Sequence, residues 1–234
     1  MTNDLPDASD DAELIPAATV LLLRDVVNAG IEVLMLRRNS KLAFGGMWVF
    51  PGGRVDDHEM VVGDVLASAR AAAVREVEEE AGLRIDAEHL VPWSYWVPPP
   101  MPSMTLKGPR RRFSTWFFAV PAPDGAVAID YGEIHEDRWL SPDQALDQHR
   151  QRQIELAPPT WITLRQLAEH PTVDAAMAWA ATAPSEEFRT KPIGKDPVTI
   201  AWAGDVAYTG GGADDPGPRH RLVMHPDGWH YERS

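Results

Sequence analysis

A chain of 234 residues with 44% hydrophobic side chains is long enough for one large domain, or one domain with additions. It is apolar enough to build a core, which excludes wholesale disorder. A formal charge of −13 at pH 7 argues against a nucleic-acid polymer as partner, because that binding needs a basic surface to displace counterions. A small phosphorylated ligand needs only a local basic patch. The absence of cysteine excludes disulfides, thiolate zinc sites and cysteine nucleophiles together.

The opening stretch MTNDLPDASDDAELIP is acidic and lacks the basic start and apolar run of a secretory signal. Residues 1–15 are therefore expected to form a disordered acidic tail. No later stretch reaches the roughly 18 apolar residues of a membrane span, so the expectation is a cytoplasmic protein with no membrane partner. Apolar runs at Ala17–Leu23 and Ile31–Leu36 flank the turn Asn28-Ala29-Gly30 and read as a β-hairpin. Phe44–Gly53 is glycine-rich and reads as a loop around a short strand, Trp48-Val49-Phe50. Leu66–Ala81 carries helix formers without proline or glycine, and Gly82 stops it. The prolines of Val91–Pro102 suggest an irregular loop. Phe113–Val120 is aromatic and β-branched, a strand, and Arg138-Trp139-Leu140 ends another. Ser141-Pro142-Asp143-Gln144 has the form of a capping box with proline at the first helical position. Helices are expected from Pro158-Pro159-Thr160 to about His170 and from Val173 to about Ala181. Val198–Glu232 alternates apolar runs with turn residues, which suggests two or three peripheral strands. The class is mixed α/β.

The chemistry concentrates in Gly52-Gly53, then Glu59, then Arg75-Glu76-Val77-Glu78-Glu79-Glu80-Ala81-Gly82-Leu83. On a helix, Glu76, Glu79 and Glu80 share an arc of about 100°, while Val74, Val77 and Ala81 form a separate apolar face and Glu78 points to a third side. Three like charges on one face repel, and a divalent cation removes that penalty. Carboxylate oxygens favour magnesium or manganese, which keep waters and bridge to substrate phosphates. Taken alone, three glutamates also describe a solvated acidic face; Arg75 in front, Gly82 behind and the Gly-Gly loop upstream make the metal reading the stronger one.

These residues resemble the Nudix hydrolase box: G, five residues, E, seven residues, R-E-U-x-E-E-x-G-U, with U bulky and apolar. Gly53 and Glu59 fit the first half, and Arg75 through Leu83 fit the second at every defined position. The departure is in the middle, where fifteen residues separate Glu59 from Arg75 instead of seven. An inserted loop or added helical turn is therefore expected within residues 60–74, with a break at Gly63-Asp64. The role of Glu59 is left open, with Asp56 or Asp57 as substitutes.

The resemblance implies a Nudix-type α/β/α sandwich with a mixed sheet, plus C-terminal helices and peripheral strands. It places the domain at residues 16–183, with a C-terminal extension at 184–234. It implies that Glu76, Glu79 and Glu80, with the carbonyl of Gly52, would hold Mg2+ or Mn2+. Arg75 would orient a glutamate by a charge-assisted hydrogen bond. Water would attack one phosphorus of a nucleoside diphosphate linked to another moiety. A base outside the box is a further implication; Glu133 and Glu136 stand where such a loop carboxylate often occurs, and Glu136 is the candidate alongside Glu79 and Arg75. Assembly as a homodimer stays open.

Three further stretches resemble the acyl-coenzyme A diphosphatase-like branch: Leu36–Ser40 running to Phe50–Asp56, Arg111–Phe118, and Pro158-Pro159-Thr160. Coenzyme A carries an extra phosphate, and Lys107 with Arg110, Arg111 and Arg112 is the densest basic group. Arginine grips phosphate through a planar fork, so Arg37, Arg54, Arg111 and Arg112 are the candidate substrate contacts, with Arg38 beside them. Trp48, Trp93, Trp96 and Trp116 are candidates for base stacking, though core or rim positions suit them better. His135, His220 and His225 read as bystanders, and Pro98-Pro99-Pro100 as a rigid loop wall. The rival readings are a pyrophosphatase for ADP-ribose, a dinucleotide or a nucleoside triphosphate, and a non-catalytic ligand sensor, which the intact glutamates disfavour.

Overall fold

The computed structural model describes residues 14–39, 46–99 and 112–234. In chain order the elements are β1 (Leu14–Val26), β2 (Gly30–Arg38), β3 (Trp48–Val49), β4 (Gly52–Arg54), α1 (Val65–Ala81), β5 (Val91–Val97), β6 (Arg112–Pro121), β7 (Ile134–Leu140), α2 (Pro142–Arg150), α3 (Pro158–Leu167), α4 (Val173–Thr182), β8 (Glu186–Arg189), β9 (Lys191–Lys195), β10 (Val198–Ala201), β11 (His220–His225) and β12 (Gly228–Arg233).

The hairpin forms as its sequence dictates. Asn28 and Gly30 both take positive φ, 62° and 78°, and β1 pairs antiparallel with β2 beyond the turn. The first strand begins at Leu14, so Leu14 and Ile15 belong to β1 rather than to the acidic tail; the rest of that expected tail lies outside the described residues. The main sheet runs β3-β2-β1-β6-β5-β8, with β4 added on β1 and β7 on β2. It is mixed: β1 and β6 run parallel, as do β5 and β8.

Period-2 alternation divides the core into two layers. Leu21, Leu23, Ile31, Val33, Met35, Phe117 and Ala119 face one side, against α3, α4 and the C-terminal sheet. Ala18, Val20, Leu22, Leu34, Leu36, Phe118 and Val120 face the other, against Ala69, Ala72, Ala73, Val77 and Ala81 of α1. Strands buried on both faces read as near-continuous apolar runs, which is how β1 and β2 look in sequence. The result is an α/β/α sandwich with a mixed sheet. No helix among the described residues is long and apolar enough to cross a membrane.

The expected irregular loop at Val91–Pro102 is corrected in its first part: Val91–Val97 is β5, an inner strand between β6 and β8. Proline lacks a ladder donor and is tolerated in a sheet at bulges, and the register of β5 against β6 shifts between Pro92 and Ser94. Burial of Trp93 and Trp96 in the core holds the strand in place. The capping box at Ser141 forms as read, with the Gln144 N–H donating to Ser141 Oγ at 3.2 Å and the Ser141 N–H to Gln144 Oε1 at 3.1 Å.

The tail holds three strands over Val198–Glu232, β10 to β12, as read from the sequence, and β9 joins them from just before it. Strands β9 to β12 make an antiparallel sheet of their own in the order β12-β11-β10-β9. It is pinned from within by Asp205, whose carboxylate takes the Arg221 guanidinium on both oxygens at 2.7 Å and the backbone N–H groups of His220 and Ala207 at 2.9 and 2.8 Å. It is pinned to the main sheet by aromatic packing, Trp202 meeting Phe188 of β8 edge-on at 5.3 Å and Trp96 of β5 edge-on at 5.8 Å.

Candidate active site

Helix α1 begins where the extra residues of the box leave room for it. Gly63 takes φ 82°, and Asp64 caps the helix by accepting the Ala67 N–H at 2.9 Å. At the far end Gly82 takes φ 67° and donates its N–H to Glu78 at 3.0 Å, the left-handed cap that favours glycine. The insertion is thus a break followed by added helix, as the sequence suggests. Val77 and Ala81 are fully buried against the sheet and Val74 packs at its margin. That burial fixes the rotation of α1, and Glu76 and Glu80 turn toward β4.

The approach is close. Glu80 Oε2 accepts the Gly52 N–H at 2.9 Å. A Cβ on Gly53 would overlap the Glu76 carboxylate, and one on Gly52 would overlap the Ala18 carbonyl; the Gly-Gly pair is there to let backbone touch carboxylate. Gly53→Ala is accordingly expected to push Glu76 aside and lower kcat on the order of 10²-fold, the scale of a misplacement of about 1 Å at a reacting centre. Steady-state kinetics beside a thermal melt would show it, a normal rate being the contrary result.

Arg75 is the hub. Its Nε and Nη2 donate to the two oxygens of Glu59 at 2.8 and 3.1 Å, its Nη1 to Glu76 Oε1 and Glu79 Oε2, both at 2.8 Å, and its Nη2 to the Arg54 carbonyl at 2.9 Å. Glu59 thus grips Arg75, while Asp56 donates its N–H to Glu59 at 2.8 Å and holds Arg54 by an ion pair at 3.0 Å. Burial opposes the charge on Glu59, but Arg75 and the Asp56 N–H outweigh it and hold the carboxyl below its ordinary range. The sequence carried a sign of this, since Asp56-x-x-Glu59 is itself a capping-box spacing.

The electrostatics on the other side of α1 are opposite. Glu80 is only 3% exposed, and burial pushes its pKa up to about 7 against the Gly52 N–H and the nearby Arg38 charge. Burial also raises Glu76, although Arg75 pulls it back. Glu80 Oε1 is buried with no hydrogen-bond partner among the described residues. A buried carboxylate oxygen without a partner is costly and is what a divalent cation satisfies. Among the described residues no three acidic or histidine side chains stand pre-assembled as a metal cluster. Arg75 lies between Glu76 and Glu79, and the Glu79 side chain is 59% exposed. Hard oxygen donors at Glu76 and Glu80 still fit magnesium or manganese.

All of Gly52, Arg54, Arg75, Glu76, Glu79 and Glu80 line one cleft of about 740 Å³. Among the described residues three expected members, Arg37, Glu136 and Arg112, do not. Arg37 and Glu136 are direct cross-strand partners in the β2–β7 pair, and Arg37 meets Glu136 at 3.7 Å while Arg138 takes it at 2.6 Å. Opposite charges facing each other across a ladder satisfy one another. Glu136 is therefore a strand residue rather than a loop carboxylate, and Glu133 and Arg38 line the cleft instead.

Arg112 is 5% exposed and donates to the Pro98 carbonyl just past the end of β5 at 3.1 Å. Arg112→Ala is expected to cost about 1–3 kcal/mol of stability with no selective rise in KM for coenzyme A, read from denaturant melts and paired kinetics. Arg111, with Lys107 and Arg110, lies outside the described residues. Trp48, Trp93 and Trp96 are core and Trp116 packs against the α1 layer. Phe50, Phe113 and Phe117 form the aromatic wall of the cleft instead, and His135, His220 and His225 are not part of it. The period-2 alternation of β6, which sets Phe113, Thr115 and Phe117 on one face, was the signal for that wall.

A sheet between helical layers, with a glutamate-bearing helix set against a Gly-Gly strand, is the arrangement the box residues call for. The family model for the NUDIX domain matches residues 14–159, and the chain belongs to the Nudix family. It is 24% identical over 214 residues to the Caenorhabditis elegans protein named "Putative nudix hydrolase 7", covering 76% of this chain and 70% of that one. A crystal structure of a NUDIX hydrolase from Alicyclobacillus acidocaldarius superimposes with a TM-score of 0.63 at 21% identity, over 74% of this chain and all of the other. As a Nudix hydrolase the protein is a pyrophosphohydrolase acting on acid anhydrides; the family takes small nucleotide substrates and generally uses divalent metal ions.

Proposed function

We propose that this chain is a magnesium- or manganese-dependent diphosphatase that cuts a nucleoside diphosphate linked to a second moiety, with coenzyme A or an acyl-coenzyme A as the preferred substrate. The observation that carries the hydrolase assignment is the buried Glu80 carboxylate, with one oxygen on the Gly52 N–H and the other without a partner among the described residues. Glu76 and Glu80 would hold the cation, with Glu79 and Gly52 completing the set. When bound, a divalent cation screens charge on the phosphate oxygens and makes water a nucleophile at neutral pH. The chain's own residues do the rest. Glu59 and Arg75 fix the carboxylate face, Arg54 stands at the rim as a phosphate contact, and Glu133 offers a carboxylate to accept the proton of the attacking water.

The coenzyme A preference is supported by the stretches Leu36–Ser40 with Phe50–Asp56, Arg111–Phe118 and Pro158-Pro159-Thr160, and by a cleft with one charged and one aromatic wall. The catalytic unit would be residues 16–183, a reading supported by every cleft residue named above falling within them, with 184–234 as an extension. A magnesium-dependent substrate panel with mass-spectrometric product identification tests the reading. Adenosine 3′,5′-bisphosphate and a phosphopantetheine product are expected. Brisk cleavage of ADP-ribose or a dinucleotide without coenzyme A cleavage would reject the preference and leave the diphosphatase standing.

A further inference from the structure

Three guanidinium groups line the cleft among the described residues: Arg38, Arg54 and Arg75. They are not equally available. Arg75 spends its nitrogens on Glu59, Glu76, Glu79 and the Arg54 carbonyl. The Arg54 side chain is 64% exposed and already paired with Asp56 at 3.0 Å, so solvent screens it. Arg38 differs from both. Its side chain is only 21% exposed, its Nε is buried without a hydrogen-bond partner among the described residues, and its Nη2 reaches Glu133 Oε2 only at 3.3 Å.

The backbone explains the placement. Register in the β2–β7 pair shifts between Arg37 and Arg38, and such irregularities re-aim side chains near sites. The Arg38 N–H donates to Met47 at 3.1 Å and its carbonyl accepts the Gly46 N–H at 2.9 Å, which fixes the residue at the rim of β3. Arg37, one position earlier, is left to Glu136.

We propose that Arg38 is the diphosphate-capturing residue of this cleft, and that Glu133 is its resting counter-ion, displaced from it when the anion binds. The inference rests on the diphosphatase reading of the cleft and deepens it. A half-exposed carboxylate at 3.3 Å is a weak partner, whereas a phosphate oxygen pair takes the guanidinium fork in two short bonds and gives the orphaned Nε an acceptor. The exchange therefore runs toward the substrate, and the glutamate it frees stays beside Glu76 and Glu80, whose charges it already feels.

The test is calorimetric titration of α,β-methylene-ADP, a diphosphate that cannot be cut, in magnesium. Arg38→Gln should weaken binding at least about tenfold, Arg38→Lys should fall between it and wild type, and Arg37→Gln should change it by less than about twofold. Glu133→Gln should tighten binding at least about threefold in the wild-type background and leave it unchanged in Arg38→Gln. Thermal melts of each variant check the fold, and Arg38→Lys serves if Arg38→Gln does not fold. Equal affinities for Arg38→Gln and Arg37→Gln, a Glu133→Gln gain that persists without Arg38, or no binding by wild type would each overturn the proposal. Continued magnesium-dependent turnover alongside any of these would show that the capture residue is wrong and the diphosphatase reading is not.

Discussion

Glu80→Gln is expected to lower kcat at least about 100-fold, or about 2.7 kcal/mol of transition-state stabilisation, without weakening the metal-free fold. Glutamine keeps the shape and still offers an oxygen to the Gly52 N–H, but carries no charge for a cation. The stability side follows from the same burial. Folding raises the Glu80 pKa from 4.5 to about 7, so the folded chain holds this proton more tightly than the unfolded chain. The stability that this contributes is fully present below the unfolded value and is lost as pH rises through about 7. Wild type in chelator should therefore melt lower at about pH 8 than at about pH 5 by this contribution, and Glu80→Gln should lack it. Steady-state rates in magnesium and melts in chelator read both effects. A variant that turns over normally, or one that melts well below wild type at the higher pH, would contradict the assignment.

Asp205→Ala is expected to destabilise the C-terminal sheet by about 3–5 kcal/mol, the usual result of removing one partner of a buried ion pair. The Asp205 side chain is fully buried and the Arg221 side chain is 7% exposed, so the arginine would be left without its fork and two backbone N–H groups without an acceptor. Burial works against ionisation of Asp205, but the Arg221 fork and the His220 and Ala207 N–H groups outweigh it and hold the carboxyl down to about 2 from 3.8. Its contribution is present above about 3.8 and lost as pH falls through about 2. Hydrogen exchange over residues 198–233, resolved by peptide, should show early opening of β10 to β12 in the variant, with the exchange of α1 unchanged. Uniform loosening of the whole chain would mean that the two sheets unfold as one unit.

What could be read from sequence was what local chemistry decides. The β1–β2 turn, the Gly82 stop, the Ser141 capping box and the common face of Glu76 and Glu80 depend on residues within a few positions of each other. Strand β5 was hidden because its prolines speak for a loop, while the bulge at Pro92 and the burial of Trp93 and Trp96 exist only once β6 and β8 are beside it. Strands β8 and β9 were hidden because Glu186-Glu187-Phe188-Arg189 and Lys191–Lys195 carry few apolar residues to alternate. In the site, helical spacing found the carboxylate face but could not show that Arg75 is shared between Glu59, Glu76 and Glu79. Arg37 and Glu136 were chosen over Arg38 and Glu133 for want of one fact, the register shift in the β2–β7 pair, which decides which arginine lines the cleft. Arg112 was read as a substrate contact because a basic cluster in sequence does not reveal that one of its members is buried.

The central claim is that the Glu76–Glu80 face of α1 holds a divalent cation. Manganese binding followed by electron paramagnetic resonance tests it without any substrate. Glu76→Gln and Glu80→Gln should each weaken binding at least about tenfold, while Glu78→Gln, whose parent side chain pairs with Arg84 at 2.9 Å on the far side of the helix, should match wild type. Equal binding by all four proteins would contradict the account.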